Sequence, residues 1–454
     1  MRGLDLRIEP GERLLLLGES GAGKSTFLHA LAGVVGDDEG EAEGSLLVDG
    51  EYPAAHRGRT GLVIQDPDSQ VILERVGDDV AFGCENLGVP RDEIWRRVRH
   101  SLEQVGLNVA LDRNTSALSG GQKQRLALAG VLAMQPGLIV LDEPTANLDP
   151  QGVTEVRDAV IRVAESTGAT IVVVEHRVSV WSDVVDRVVV LAAGGGAIAD
   201  GPPSDVLSRQ GEELAARGVW IPQFPPPRPQ RTVRPAQQTL LTTHALGVGR
   251  SKRAVAHPHD LSIPSSHALA ITGPNGSGKS TLALTLGGLL APVSGVVEAR
   301  PMLAAGAGEH PIRWKSRELL TRIGTVFQDP EHQLLTSTVR AELEVGPRAL
   351  RLDKAEVDAR VDELLTRLRL DRLANANPFT LSGGEKRRLS VATSLATGPR
   401  MLVLDEPTFG QDSRTWSELL AMLARLVDEG STVVAVSHDR EFVDALADST
   451  VTLT

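Results

Sequence analysis

Two glycine-rich stretches of the chain have the residue types and spacing needed to bind phosphate. Both follow the pattern G-x-x-x-x-G-K-S-T, after an apolar run and before a helix-prone segment. Glycines let successive backbone N–H groups turn toward one anion. Lys24 or Lys279 can reach the β- and γ-phosphates of a nucleotide, and Ser25 or Ser280 can bind Mg²⁺. The predicted nucleotide-binding residues are Gly18, Glu19, Ser20, Gly21, Ala22, Gly23, Lys24, Ser25, Thr26 and Gly273, Pro274, Asn275, Gly276, Ser277, Gly278, Lys279, Ser280, Thr281.

The second half of the chain repeats the motifs of the first half in the same order. Lys24 recurs as Lys279, and Gln65 recurs as Gln328 at an offset of 263 residues (328 − 65). A fixed order at nearly constant spacing indicates a duplicated domain. The predicted bounds are 1–210 for the first domain, 211–238 for a proline-rich linker and 239–454 for the second domain.

A pair of carboxylates ends one apolar run in each half. Asp142 and Glu143 follow residues 138–141, and Asp405 and Glu406 repeat the pair. Such a run predicts a buried parallel strand, and ligands bind at the carboxyl ends of parallel strands. The aspartate of each pair is predicted to hold Mg²⁺ and the glutamate to activate the attacking water.

Each half also places a glutamine and a histidine after strand-like runs. Gln65 and Gln328 can complete the Mg²⁺ shell and orient water, and His176 and His438 can contact the γ-phosphate. One glutamine or histidine alone would carry little weight, but both recur in register. The predicted Mg²⁺ ligands are Ser25, Gln65, Asp142, Ser280, Gln328 and Asp405, and the predicted catalytic residues are Glu143, His176, Gln65, Glu406, His438 and Gln328.

A Leu-Ser-Gly-Gly motif opens a helical segment in each half and predicts a second anion site per domain. The economical explanation is that the two sites of one domain serve different nucleotides. The residues of these two motifs are Ser119, Gly120, Gly121, Gln122 and Ser382, Gly383, Gly384, Glu385.

The order of these motifs resembles the ATP-binding-cassette (ABC) ATPases over nearly the whole chain. The resemblance implies an α/β fold with two P-loop NTPase domains. Each would have a mostly parallel sheet core, an antiparallel β part and an inserted helical subdomain, at about 75–118 and 339–381. It also implies that the halves pair head to tail around two ATP molecules with Mg²⁺, each Ser-Gly-Gly motif facing the other half's glycine loop. Both sites keep every polar group, so both are predicted to hydrolyse ATP.

Two details depart from the family pattern. Residues 146–149 match the usual D-loop, whereas Gln411 stands where leucine is expected in the second half. The family stacks adenine on an aromatic residue before the glycine loop, and Arg250 is the candidate near that position in the second half. The first half is too short to have this residue, and we expect it to lack an edge strand.

The segments from Gln65 to Gln70 and from Gln328 to Gln333 resemble the ATPases of energy-coupling-factor transporters. Such ATPases drive a membrane T component that carries a substrate-binding S component, and they import vitamins and transition-metal ions. The resemblance implies docking of integral-membrane subunits near these two segments, with Asp68 and Glu331 meeting arginines. A tandem sugar-import ATPase and a ribosome-associated ABC translation factor are the alternatives.

The composition agrees with a globular ATPase. The chain has 454 residues, 41% of them hydrophobic, and a net charge of −12. An acidic chain argues against nucleic-acid binding through a broad basic surface, and one cysteine, Cys84, excludes a disulfide framework. The chain contains no apolar run of 18 residues, and its first residues lack the apolar core of a signal peptide. We therefore expect a protein that stays in the cytoplasm, and the resemblance to transporter ATPases implies a peripheral position at the cytoplasmic face of the cell membrane.

Overall fold

The computed structural model describes residues 3–19, 21–35, 43–55, 58–145, 148, 150–192, 194–231, 238–249, 260–408 and 411–453. The chain divides into two compact units. The first unit comprises Met1–Pro226 with Asp412–Arg414, and the second comprises Pro227–Gln411 with Thr415–Thr454.

The first unit alternates strands and helices. Its elements are β1 (Arg13–Gly18), α1 (Lys24–Leu31), β2 (Thr60–Val63), α2 (Pro67–Gln70), α3 (Val76–Asn86), α4 (Arg91–Gln104), α5 (Gly120–Ala133), β3 (Leu138–Asp142), α6 (Pro150–Thr167), β4 (Thr170–Val174), α7 (Val178–Trp181), β5 (Arg187–Leu191), β6 (Ala197–Gly201) and α8 (Pro203–Ala216).

The six strands form one sheet in the order β2-β3-β4-β1-β5-β6. Neighbouring strands are parallel except β5 and β6, which form an antiparallel pair at one edge. Every residue of β3 is buried, as expected for a strand covered on both faces of a parallel sheet. The apolar run at 138–141 forms the buried parallel strand that was predicted. The apolar run at 170–174 predicts a second such strand, and it forms β4 beside β3.

The apolar residues 46–48 predict a short strand, and this prediction is wrong. Val48 makes only an isolated antiparallel bridge to Glu51. No described residue preceding β1 in the first unit forms a strand. A short apolar segment has no regular structure to join where no partner strand lies beside it.

The second unit repeats the architecture and adds a small antiparallel sheet. Its elements are β7 (Thr239–Gly247), β8 (Ser262–Pro264), β9 (Ala268–Thr272), α9 (Lys279–Leu286), β10 (Ser294–Ala299), α10 (Pro301–Ala304), α11 (Ser316–Leu320), β11 (Ile323–Val326), α12 (Val339–Ala349), α13 (Lys354–Arg367), α14 (Gly383–Leu395), β12 (Met401–Asp405), α15 (Ser413–Asp428), β13 (Thr432–Val436), α16 (Arg440–Leu446) and β14 (Ser449–Thr452).

The core sheet of this unit is parallel throughout, in the order β11-β12-β13-β9-β14. The antiparallel sheet has the order β10-β7-β8. The intervals predicted to be helical contain α3 and α4 in the first unit and α12 and α13 in the second. Both units therefore contain parallel-sheet cores with inserted helices, which is the predicted fold class.

The start of the predicted linker belongs to the first unit. Helix α8 continues to Ala216, and Leu214, Val219 and Ile221 are buried in that unit's core. The Trp220 N–H also donates to the His176 carbonyl at 3.3 Å. Residues 211–221 thus pack a core, contrary to the expectation of an extended connector.

The expectation that Arg231 is a solvated linker charge is wrong. Its side chain is only 8% exposed and lies 2.9 Å from the Asp448 carboxylate. The guanidinium also donates to the Leu446 carbonyl at 2.5 Å. Leu446 ends α16, and a helix C-terminus attracts a cation. Arg231 therefore anchors the connector on the second unit.

We expect Arg231→Ala to destabilise the second unit by about 3 kcal/mol, because it leaves the buried Asp448 carboxylate without its cation. Differential scanning calorimetry of the full chain would record this as a thermal transition several degrees lower. The matched control is Arg228→Ala in the same connector. Arg228 is half exposed and lies 3.9 Å from Glu441, so its loss should cost less than about 1 kcal/mol. Equal shifts for the two variants would contradict the anchoring role.

Candidate nucleotide and catalytic sites

The glycine loops connect β1 to α1 and β9 to α9. Gly23 and Gly278 immediately precede these helices with φ of 88° and 92°, a conformation that favours glycine. A Cβ atom on Gly18 would lie 2.8 Å from the Leu191 carbonyl oxygen. Glycine is therefore needed both for the turn and for the close approach of the neighbouring strand.

Each loop encloses its lysine ammonium group. Lys24 donates to the carbonyls of Gly18 at 2.8 Å and Glu19 at 3.0 Å. Lys279 donates in the same way to Gly273 and Pro274 at 2.9 and 2.8 Å. Burial lowers the pKa of Lys24, although the nearby acids oppose that shift. A cation held inside a ring of backbone groups suits the binding of a phosphate oxygen.

The carboxyl ends of β3 and β12 present the predicted metal-binding aspartates. Asp142 Oδ1 is buried and accepts no hydrogen bond from any described residue. Burial raises the pKa of Asp142, and a hydrogen bond from the Ser25 hydroxyl opposes the increase. A buried carboxylate beside a hydroxyl group fits the oxygen chemistry of Mg²⁺, which binds one or two protein ligands together with substrate phosphates. Asp405 is likewise buried at the end of β12.

Glu143 lies at the centre of a polar cluster in the first unit. Its carboxylate is 2.9 Å from His176 Nε2 and accepts a 2.8 Å hydrogen bond from Gln65 Nε2. Burial works against ionisation of Glu143, but the charge and hydrogen bond of His176 outweigh it and hold the pKa of Glu143 below its usual value. Burial likewise disfavours the charged imidazole, yet Glu143 raises the pKa of His176. The structure therefore brings three predicted catalytic residues together.

The corresponding cluster in the second unit is looser. Glu406 Oε1 lies 3.4 Å from His438 Nε2, and the His438 N–H is 3.3 Å from the other carboxylate oxygen. Burial raises the pKa of Glu406 to about 8, with a further increase from Asp405. Both glutamates have positive φ, 45° at Glu143 and 47° at Glu406. The two glutamates therefore share their backbone geometry and differ in the direction of their pKa shifts.

The serines of the two Ser-Gly-Gly motifs cap the helices that follow them. The Gln122 N–H donates to Ser119 Oγ at 3.3 Å, and the Ser119 N–H donates to the Gln122 side chain at 3.1 Å. Ser382 and Glu385 form the same reciprocal capping box at the start of α14. These bonds satisfy donors that a helix N-terminus leaves free. The predicted contact of these motifs with a nucleotide stays a prediction.

The threonine of each Leu-Asp-Glu-Pro-Thr motif donates to a carboxylate that the sequence analysis missed. In the first unit Glu175 accepts from the Thr145 hydroxyl and, at 3.0 Å, from the His176 N–H. In the second unit Asp439 accepts from the Thr408 hydroxyl at 3.3 Å and from Trp416 Nε1 at 2.7 Å. The available signal was an acid beside each histidine, before it in one half and after it in the other.

Each glutamine loop, residues 65–70 in the first unit and 328–333 in the second, is closed by hydrogen bonds from the side chain of its own last residue. The Gln70 side chain accepts from the Ile64 N–H at 3.1 Å and donates to the Leu62 carbonyl at 2.9 Å. Gln333 makes the equivalent bonds at 3.2 and 3.1 Å in the second unit. Each six-residue segment therefore folds back onto the strand before it.

The two acids expected to meet a partner's arginines already have partners in their own units. Asp68 pairs with Lys123 of α5, and Glu331 pairs with Lys386 of α14 at 2.6 Å. Both lysines are largely buried and both acids are largely exposed.

Several predicted residues lie outside the described residues: Ser20, Ala146, Asn147, Asp149, Arg250, Phe409 and Gly410. The described part of each D-loop contacts the Ser-Gly-Gly helix of its own unit. A Cβ on Gly121 would lie 3.6 Å from Leu148, and one on Gly384 would lie 3.2 Å from Gln411. The unusual Gln411 thus occupies the same place as Leu148.

Comparison with known proteins identifies the class. The family model described as "ABC transporter" matches residues 1–146 and 256–409. The chain therefore belongs to the ABC transporter family, as a tandem ATPase.

The relatives include one whose name refers to import. The chain is 35% identical to the "Putative HMP/thiamine import ATP-binding protein YkoD" of Bacillus subtilis, over 99% of this chain and 86% of that protein. It is 33% identical to an ABC transporter ATP-binding protein of Streptomyces coelicolor, over 100% of this chain and 89% of that protein. A solved structure of the archaeal ribosome recycling factor aABCE1, bound to the ribosomal stalk protein aP1, has a TM-score of 0.63. It is 21% identical and covers 99% of this chain and 84% of that chain, so it shares the fold.

The unequal glutamates predict opposite pH effects on stability in nucleotide-free protein. The pKa of Glu406 lies above its unfolded value, so its contribution is present below about pH 4.5 and is lost as the pH rises toward 8. Glu406→Gln should therefore stabilise the second unit by about 3 kcal/mol at pH 7 and far less at pH 5. Thermal unfolding measured at several pH values would test this.

Glu143→Gln is the matched comparison. The folded pKa of Glu143 is lowered, so its contribution is present above its unfolded value and is lost as the pH falls through the folded one. His176 has the opposite dependence, because its raised pKa contributes stability at low pH. Glu143→Gln should thus destabilise the first unit most between about pH 5 and 6, where both groups are charged. Stabilisation by both substitutions would contradict the difference between the sites.

Proposed function

We propose that this chain is the energy-coupling subunit of an ABC importer of energy-coupling-factor type. It drives uptake of a vitamin or metal ion through separate membrane subunits, at the cytoplasmic face of the membrane. The observation that carries the proposal is the duplicated glutamine loop, closed by Gln70 and Gln333 and followed by an exposed apolar residue. The name of the Bacillus subtilis relative, which refers to HMP/thiamine import, supports it.

ATP binds at the two glycine loops, with Lys24 and Lys279 contacting its phosphates. Ser25, Gln65 and Asp142 would hold Mg²⁺ in the first unit, and Ser280, Gln328 and Asp405 would hold it in the second. The bound ion would supply positive charge beside the phosphates. Glu143 accepts the proton of the water that attacks the γ-phosphorus, and the bond to the β-phosphate oxygen breaks to leave ADP and phosphate. His176 holds the Glu143 carboxylate in place at 2.9 Å.

Glu406 performs the same step in the second unit, and His438 is its partner. The raised pKa of Glu406 means that the carboxyl must lose its proton before it can act as a base. Bound cationic groups favour that loss, since a nearby positive charge stabilises the carboxylate. Both units hydrolyse ATP, and the second is the more sensitive to what occupies its site.

The segments after the glutamine loops form the docking surface for the membrane subunits. Ile72 is 59% exposed and Leu335 is 75% exposed. Their backbone positions are fixed, because the Ile72 N–H donates to Asp79 at 2.8 Å and the Leu335 N–H donates to Glu342 at 2.9 Å. A large apolar side chain held out of the core by hydrogen bonds of its own backbone suits contact with an apolar partner surface.

No helix within the described ranges is long and apolar enough to cross a membrane.

The first experiment is to express the tagged chain in its own host, solubilise the membranes gently and identify the proteins that co-purify. We expect integral-membrane proteins, one of which binds the transported substrate, together with ATP-dependent transport after reconstitution. Recovery with ribosomes alone would favour the translation-factor alternative. A membrane complex that transports a sugar would favour a sugar-type importer.

Ile72→Asp and Leu335→Asp should weaken the membrane complex by about tenfold or more, because each places a charge in an apolar contact. ATP hydrolysis by the isolated chain should change by less than about twofold, since both side chains point away from the core. Co-purification and ATPase assays measure the two effects. Ile312→Asp, at another exposed apolar residue on a separate turn, is the control. If both variants, Ile72→Asp and Leu335→Asp, co-purify normally with the membrane subunits, the proposed docking surface is wrong.

A further inference from the structure

An arginine buried inside the second unit, on helix α14, contacts the backbone of the glutamine loop. Arg387 follows the Ser-Gly-Gly-Glu motif on α14, and its residue is only 2% exposed. Its guanidinium donates to the Phe327 carbonyl at 2.7 Å and to the Gln328 carbonyl at 2.5 Å. Charged hydrogen bonds of this length are the strong ones in proteins. Both peptide groups that flank the Gln328 Cα are therefore held by one side chain.

Other bonds complete the fixation of this loop. The Phe327 N–H donates to Gln333 at 3.2 Å, and Ser390 of α14 donates to the same Gln333 oxygen at 2.5 Å. Burial lowers the pKa of Arg387 to about 10, and the acids Asp405, Glu406 and Asp329 oppose the decrease. The guanidinium thus remains charged at neutral pH, and its charge faces the carboxylates of the site.

The equivalent residue in the first unit is a glutamine that makes no such contact. Gln124 lies two residues after Gln122, as Arg387 lies two residues after Glu385. Its residue is 1% exposed, and neither amide atom has a hydrogen-bond partner among the described residues. The glutamine loop of the first unit is instead reached through its side chain, by the bond from Gln65 to Glu143.

We propose that Arg387 is a positioning residue that presets the backbone of Gln328, so that the two ATP sites have differently constrained glutamine loops. The second loop has its backbone held by Arg387. The first loop is closed by Gln70 as the second is closed by Gln333, but its glutamine is held through the side chain, by the bond from Gln65 to Glu143. This inference rests on the assignment of Gln328 to the site under Proposed function, and it does not depend on the importer assignment.

The test compares Arg387→Gln, Arg387→Lys and the reciprocal Gln124→Arg in the full chain. Arg387→Gln installs the residue that the other unit already tolerates at this place, so the fold is expected to survive. Hydrogen–deuterium exchange in residues 323–333 should become about tenfold faster in Arg387→Gln, because the loop loses two charged hydrogen bonds. Exchange in residues 60–70 should slow in Gln124→Arg. Arg387→Lys should be intermediate, since lysine keeps the charge and loses the forked geometry.

Steady-state kinetics separate positioning from a structural role. The kcat for ATP hydrolysis should fall to about half or less in Arg387→Gln, with KM for ATP within about twofold, because the glutamine acts on water and metal more than on nucleotide affinity. Unchanged exchange at 323–333 would overturn the inference. Faster exchange throughout the second unit with a lower melting temperature would also overturn it, since the role would then be structural.

Gln328→Ala distinguishes a failure of the assignment of Gln328 to the ATP site from a failure of the positioning role of Arg387. It should lower kcat at least as much as Arg387→Gln. If Gln328→Ala leaves kcat unchanged, the assignment of Gln328 to the site fails. If Gln328→Ala lowers kcat while Arg387→Gln leaves it unchanged, only the positioning role of Arg387 fails.

Discussion

Both units depend on balancing charges that are buried at the carboxyl edge of an apolar parallel sheet. Such charges are costly unless paired or neutralised. The first unit pairs them, because Glu143 contacts His176 and Gln65 within 3 Å. The second unit neutralises one, because the pKa of Glu406 rises to about 8. The same motif thus satisfies one electrostatic constraint in two ways.

The glycine loop, the aspartate predicted to bind metal and the glutamine loop lie at one edge of the sheet because they all follow parallel strands. The glutamine loop is also held by a lysine of the helix that starts with the Ser-Gly-Gly motif, since Lys123 pairs with Asp68 and Lys386 pairs with Glu331. The helix that starts with the Ser-Gly-Gly motif therefore contacts the glutamine loop in both units. A shift of that helix would be transmitted to the loop through direct contacts.

Much of this arrangement could be predicted from the sequence. Fully buried parallel strands appear in the sequence as apolar runs, and the serines of the Ser-Gly-Gly motifs indicate where α5 and α14 begin. The roles of Arg387 and Arg231 could not be predicted, because an arginine in a helix or a proline-rich segment is usually solvated. The opposite pKa shifts of Glu143 and Glu406 could not be predicted from the sequence either. Both lie in identical Leu-Asp-Glu-Pro-Thr motifs, and they differ in contacts made from outside the motif. The histidine lies 2.9 Å from Glu143 and 3.4 Å from Glu406, and Gln65 donates to Glu143.

The carboxylate that accepts from the threonine of the Leu-Asp-Glu-Pro-Thr motif lies on opposite sides of the histidine in the two halves of the sequence. Glu175 precedes His176, whereas Asp439 follows His438 and also holds Trp416. Each threonine is buried, so removing the acid from either segment would leave the threonine hydroxyl without its carboxylate acceptor. The two histidine segments are consequently not interchangeable modules. A chimera that replaces one histidine segment with the other would therefore have to move Trp416 of α15 together with Asp439, because these two side chains are hydrogen-bonded.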